Sequence, residues 1–209
     1  EMINNFDPIL PDRYQIWMEE INKQDLAGDE QVLGLMNIGG IIKKDYQGNM
    51  SMVNIPQSED NYLRLVGCEL IAQNDIEALN LIFDEKINLW HTIVLETYQP
   101  KSFGLCDQNQ GEIDIQEKTP GYLKLEVDLK QDNWIFWSQT WYPGWKGKID
   151  GSAVEVHRAN YLFQAIHSEK GNHIVEFIYR PSSFYWGSSI SLIGLIILAW
   201  GFLGKKKQS

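Results

Sequence analysis

Five large aromatic residues, Trp134, Trp137, Trp141, Tyr142 and Trp145, fall within twelve consecutive positions of this chain. Flat indole and phenol rings suit the apolar C–H faces of a sugar, and Tyr142-Pro143-Gly144 would present them from a loop at the edge of a sandwich. Downstream, Arg158 supplies a planar guanidinium that can hold an anion in a fork, and Asn160 supplies an amide suited to a sugar hydroxyl. Trp141, Tyr142, Trp145, Arg158 and Asn160 are therefore the candidate carbohydrate-binding residues. The same residues also have structural uses. Tryptophan fills sandwich cores, Arg158 can pair with a local acid, and Asn160 can shape a turn. We expect Trp134 or Trp137 inside and one or two of Trp141, Tyr142 and Trp145 accessible.

No catalytic constellation emerges. Asp12, Glu19, Glu20, Asp29 and Glu30 read as a solvated face, with no pair singled out as acid and base. His91, His167 and His173 are too scattered for metal ligation, so neither a metal nor another cofactor is expected. With 18 Lys+Arg against 28 Asp+Glu the net charge is -10. A phosphate backbone needs a clustered basic face, so nucleic acid is not an expected partner. Cys68 and Cys106 form no Cys-x-x-Cys or Cys/His spacing and are expected to be free, separately placed thiols. Glu1 opens the chain with no basic and apolar leader behind it, which reads as a cut N-terminus without a secretory signal.

The element that must orient these candidates is the uncharged stretch 184–204. Its 21 residues would span about 31 Å as a helix, close to the hydrocarbon thickness of a bilayer. Phe184, Tyr185 and Trp186 mark one expected interface, and Trp200 and Phe202 the other. Lys205, Lys206 and Lys207 follow, and by the positive-inside bias they belong in the cytoplasm. All 28 acidic residues precede them. The expected topology is a single pass through the cell membrane, with the bulk outside the cytoplasm and a basic tail, 205–209, within it. Gly187, Ser191 and Gly194, at three- to four-residue spacing, are the candidate residues for docking another membrane helix.

The remaining elements read as α+β. Residues 11–23 place Tyr14, Trp17, Met18 and Ile21 at helical spacing, and 75–83 do the same with Ile76, Leu79, Ile82 and Phe83, capped by Asn74 or Asp75. Residues 32–42, 62–72 and 92–96 read as strands. In 122–130, Leu123, Leu125, Val127 and Leu129 alternate with charged residues, the pattern of a half-buried strand. Asp150-Gly151 suits a tight hairpin, Gly171-Asn172 a second turn, and Val175, Phe177 and Tyr179 share a strand face. The resulting expectation is a mixed α/β segment over 1–100, a linker over 101–111, an antiparallel β-sandwich over 112–183, and the membrane helix over 184–204.

Trp141-Tyr142-Pro143-Gly144-Trp145-Lys146, Ile149-Asp150-Gly151, His157-Arg158-Ala159-Asn160-Tyr161-Leu162-Phe163 and Gly171-Asn172-His173-Ile174-Val175-Glu176-Phe177, followed by Tyr179 and Pro181, occur in an order and spacing that resemble the C-terminal region of YfhO-like bacterial membrane proteins. Asp7-Pro8-Ile9-Leu10, Leu35-Met36-Asn37-Ile38 and the stretch 75–96 resemble that family's outer region more loosely. The resemblance implies a multispanning protein similar to C-type glycosyltransferases, whose presumed catalytic acids lie in early outer loops outside this sequence. No catalytic residue is carried over. The chain would be the last outer portion and last helix, as a fragment or a separately encoded accessory subunit.

Two functional readings follow. In the first, the chain is a membrane-anchored, non-catalytic, extracytoplasmic module of a glycosyltransferase-like assembly, with glycan as candidate ligand. In the second, it is a structural subunit that docks on a larger membrane complex through its helix and a sandwich face. Hydrolase or transferase activity within the chain itself has only unassigned carboxylates behind it.

Overall fold

The computed structural model describes residues 12–23, 30–36, 38–44, 47–54, 62–96 and 111–205. In chain order the elements are α1 (Asp12–Lys23), α2 (Glu30–Leu35), β1 (Gly40–Lys44), β2 (Met50–Asn54), β3 (Leu63–Val66), β4 (Cys68–Ala72), α3 (Asp75–Ile82), β5 (Thr92–Glu96), β6 (Gly111–Thr119), β7 (Tyr122–Leu129), β8 (Asn133–Trp137), β9 (Trp145–Ile149), β10 (Ser152–Val154), β11 (His157–Ala159), β12 (Phe163–Ser168), β13 (Gly171–Tyr179) and α4 (Ser182–Lys205). The α+β expectation holds, with strands predominating. Sheets of five strands, β10-β9-β13-β7-β6, and six, β3-β8-β12-β11-β5-β4, form a sandwich-like body, and β1 and β2 pair with each other.

The five-stranded sheet follows directly from alternation. Leu123, Leu125, Val127 and Leu129 of β7 are all buried, as are Val175 and Phe177 of β13, and they meet Leu63, Ile135, Trp137 and Ile166 of the facing sheet. Each such side chain contributes roughly 1.5–3 kcal/mol by leaving water. Asp150 at φ 50 and Gly151 at φ 80 close the β9–β10 hairpin, with Ile149 opposite Ser152, as the dipeptide predicts. Gly171 and Asn172 instead open β13, so the reversal falls at Glu169 and Lys170. That reversal carries the chain from one sheet to the other, a change of sheet that local turn chemistry does not encode.

The six-stranded sheet has its end strands, β3 and β4, separated by Gly67 alone. One bent run of chain therefore serves both edges, and the sheet curls towards closure. Trp134 of β8 accordingly donates its indole N–H to a carboxylate oxygen of Glu69 in β4 at 2.8 Å. The inner side is filled by Trp134, Phe136, Phe163, Ile93 and Leu95, covered by Trp17 and Ile21 of α1, Val32, Leu33 and Leu35 of α2, and Ala78 and Ile82 of α3. The strand expected from residue 32 is thus a helical turn followed by β1. Val32, Leu33 and Leu35 find their burial against Trp17, and tertiary packing overrides β propensity. Asn74 caps α3 by accepting from the Glu77 N–H at 2.9 Å.

This sheet also joins the two expected segments. β3, β4 and β5 precede residue 101, whereas β8, β11 and β12 follow residue 111, and they share one hydrogen-bonded sheet. The sandwich therefore draws on more than 112–183. Residues 101–110 of the expected linker lie outside the described residues, and Gly111 is already the first residue of β6.

α4 covers the expected span and begins immediately after Pro181. Phe184, Tyr185, Trp186, Ile190, Leu192, Ile193, Leu195, Ile196 and Ile197 are all exposed on it. Among the described residues no helix is long and apolar enough to cross a membrane, and the side chains from 198 onward, including Trp200 and Phe202, lie outside that description. The expectation of free thiols is corrected at Cys68, which is disulfide-bonded. Cys106 lies outside the described residues. Isolated cysteines without a motif carry no sequence signal of their pairing, because proximity comes from the fold.

Candidate functional site

Ala159 pairs with Phe163, so β11 and β12 are joined by Asn160, Tyr161 and Leu162 alone. Asn160 and Tyr161 adopt φ 45 and 67, a left-handed pair in which asparagine is the better tolerated residue. Asn160 is held there from both sides. Its backbone N–H donates to the Val94 carbonyl at 2.7 Å, and its Oδ1 accepts from the Val94 N–H at 2.7 Å. The turn therefore plugs into β5 and throws the Tyr161 ring towards α1.

There Tyr161 stacks on Trp17 with centroids 6.1 Å apart, and the Arg13 guanidinium lies 4.7 Å from its ring centre. Arg13 grips Glu96, the last residue of β5, through a two-pronged contact of 2.5 and 2.8 Å. It also donates to the Tyr161 carbonyl at 3.3 Å. Arg158 approaches the same carboxylate only to 3.7 Å, and its guanidinium lies 4.3 Å from the centre of the Trp141 ring. Trp141 is fixed in turn, its backbone N–H donating to the Leu162 carbonyl at 2.8 Å and its indole N–H to the Val156 carbonyl at 3.2 Å.

The loop that follows is pinned to the base of α4. Arg180 donates its backbone N–H to the Gly144 carbonyl at 2.8 Å. Gly144, at φ +122, comes so close to Pro181 that a Cβ there would lie 2.9 Å from the Pro181 Cα. Only glycine fits this crossing. Between the loop and the β11–β12 turn lies a cavity of about 150 Å³, lined by Arg13, Thr140, Trp141, Tyr142, Pro143, Arg158, Tyr161 and Leu162.

The charged side chains in the lining are Arg13 and Arg158. Two guanidiniums face one largely buried carboxylate, and Asp75, 3.9 Å from Arg13, is half-exposed. Arg13 is pulled down by burial, but the hydrogen bond and charge of Glu96 outweigh this and raise its pKa. Burial first, and then the neighbouring Arg13, lower that of Arg158. Burial foremost raises that of the Tyr161 phenol. Arg13 is thus internally neutralised, whereas Arg158 is a desolvated cation with a distant partner.

Trp141, Tyr142 and Arg158 are accordingly brought together. Trp145 stands outside the lining, packed edge-on against Trp137 at 5.3 Å and tilted against Tyr179 at 5.1 Å. Its indole N–H donates to the Thr140 carbonyl at 3.3 Å. Asn160 is fully buried and shapes the turn rather than lining the cavity. Trp134 and Trp137 are both internal, while Trp141, Tyr142 and Trp145 are each half-buried. Sequence reasoning missed Arg13, which meets Glu96 across 83 positions, a contact that no local pattern announces. Tyr161 had a signal, being the ring that follows the turn asparagine.

On α4, Gly187 and Ser191 line a shallow open groove with Ser183, Phe184, Ser188, Leu192 and Leu195. Gly194 lies beyond that lining, and a Cβ at Gly187 or Gly194 would meet nothing within 4 Å.

Residues 93–191 match the family described as Bacterial membrane protein YfhO. That stretch is YfhO-like. A relative from Bacillus subtilis (strain 168), named "Uncharacterized protein YfhO", is 25% identical over 114 residues, which cover 54% of this chain and 13% of that protein. The chain thus matches only a small part of that relative's length. No solved structure matches. The family match contains β6 to β13, the β11–β12 turn, Trp141, Tyr142 and Arg158, whereas Arg13 and α1 precede it.

Proposed function

We propose that this YfhO-like chain is a membrane-anchored, non-catalytic, extracytoplasmic module that contacts glycan through the cavity between α1, the β11–β12 turn and the loop around Tyr142. The observation that carries the proposal is placement. The loop closing the cavity is hydrogen-bonded to Arg180 beside Gly144, at the foot of a helix whose apolar side chains are exposed from Phe184 to Ile197. Such a surface is costly in water and suited to lipid, so α4 would cross the bilayer with Lys205, Lys206 and Lys207 on the cytoplasmic side. The bonded state of Cys68 supports an oxidising compartment for the body. The cavity then opens close to the outer membrane–water interface, where a glycan on a membrane-bound carrier is within reach.

Trp141 and Tyr142 would supply ring faces for sugar C–H groups, and Arg158 and Arg13 the polar rim. Trp145 and Asn160 hold these groups in place. The module performs no bond-making step and serves a larger glycosyltransferase-like assembly, either as its C-terminal portion or as a separate subunit. Oligosaccharide binding to the detergent-solubilised chain tests this. Trp141→Ala should weaken binding by about tenfold while leaving the fold intact, in line with the loss of one aromatic stacking face. Unchanged binding would remove the assignment.

A second reading rests on the open groove at Gly187 and Ser191. Small residues let helix backbones approach closely in lipid, so α4 with Gly194 would dock on a neighbouring membrane helix and the body would serve as a structural subunit. Gly187→Leu would then release a stoichiometric partner during purification in mild detergent. A chain that purifies alone and binds oligosaccharide supports the first reading instead.

A further inference from the structure

Arg158 has unused hydrogen-bonding capacity among the described residues. Its guanidinium carbon lies 4.3 Å from the centre of the Trp141 ring, a cation–π contact that leaves its N–H groups available as hydrogen-bond donors. Among the described residues those groups make no hydrogen bond, and their one ionic neighbour is a Glu96 oxygen at 3.7 Å. Both oxygens of that carboxylate are already engaged by Arg13 at 2.5 and 2.8 Å. A second arginine has thus been brought half-buried to an acid that is already neutralised, where desolvation and like-charge repulsion both oppose its charge. A cost of that kind is recovered when an oxyanion enters and takes both prongs.

We propose that the cavity recognises an oxyanion, a carboxylate or a phosphate, carried by the sugar that it binds, and that Arg158 is the residue that grips it. The inference rests on the glycan reading and narrows it to acidic glycans. At about 150 Å³ the cavity admits one such group with part of a ring, and the rest of the saccharide remains outside. Arg13 is the positioning residue: by holding Glu96 it prevents that carboxylate from neutralising Arg158. Tyr142 and Trp141 border the same space, so one ligand can meet charge and ring together.

The test uses the full chain in detergent and four probes: a neutral disaccharide, its uronic-acid counterpart, its monophosphate, and monomeric short-chain phosphatidylglycerol. The acidic sugars should bind at least about tenfold more tightly than the neutral one, the gain expected of a bidentate charge-assisted contact. Arg158→Gln should erase that preference, bringing the acidic sugars down to the affinity of the neutral one, and added salt should shrink it. Preference for the uronate or for the phosphate alone still supports the inference and identifies the anion. Equal binding of neutral and acidic sugars, or a preference that survives Arg158→Gln, overturns the inference and leaves the glycan reading standing. Binding of phosphatidylglycerol with no sugar bound removes the glycan reading and keeps the anion site. No binding of any probe removes both. If Arg158→Gln does not fold, Arg158→Lys keeps the charge but loses the fork, and an unchanged ratio in that variant is equally contrary.

Discussion

At the residue scale, Arg13 and Arg158 differ by partner geometry rather than by sequence neighbourhood. Arg13 shares a close two-pronged contact with Glu96, whose side chain is only 10% exposed. Arg13→Gln removes this two-pronged partner from a largely buried carboxylate and should cost about 2 kcal/mol in urea denaturation, towards the low end for a partly exposed pair. A loss under about 0.5 kcal/mol would mean that the pair is solvent-screened. His157 titrates in the opposite sense. Burial lowers its pKa against the weaker pull of Glu155, so the unfolded chain binds the proton more readily. Stability should therefore fall as pH drops below about 6.5, the ordinary histidine value, towards the lower folded pKa. His157→Gln should flatten that limb of a melting-temperature profile, and an unchanged limb would assign the dependence to another group. At this scale the sequence disclosed residue types and not their partners. Arg158 and Trp141 were legible as candidates, but the Arg13–Glu96 lock that gives Arg158 its freedom spans 83 positions.

At the scale of elements, the β11–β12 turn and the loop at Gly144 set the shape of the cavity. Asn160 provides both the left-handed backbone and the bond to the Val94 N–H. Asn160→Gly keeps the first and loses the second, so it should cost about 1–2 kcal/mol, while Asn160→Ala should cost more because alanine has neither asparagine's tolerance of a positive φ nor glycine's freedom from a Cβ. Equal losses for the two would show that the bond, and not the backbone, sets the requirement. Gly144→Ala brings a Cβ to 2.9 Å from Pro181 and should detach the loop from the foot of α4. β7, α1, α3 and the Asp150-Gly151 hairpin were legible because period and turn chemistry are local. α2 and the crossing from β12 to β13 were not, because neighbouring layers decide them: Val32, Leu33 and Leu35 become helical against Trp17, and Gly171 enters a strand of the opposite sheet.

At the scale of the whole molecule, the curled six-stranded sheet unites chain from both sides of residues 101–110, with helices on one face and the five-stranded sheet on the other. That assembly carries the cavity to the foot of α4, an arrangement that no single stretch of sequence contained. The central claim is that this acidic body stands outside the cytoplasm while α4 threads the membrane. Protease added to intact spheroplasts tests it most directly, with a tag placed after Ser209 and detected by blotting. The account predicts that the body is digested and that a short tagged fragment, α4 with its lysine tail, survives until the cells are lysed. A full-length tagged chain that withstands the protease in intact spheroplasts and disappears on lysis would contradict it.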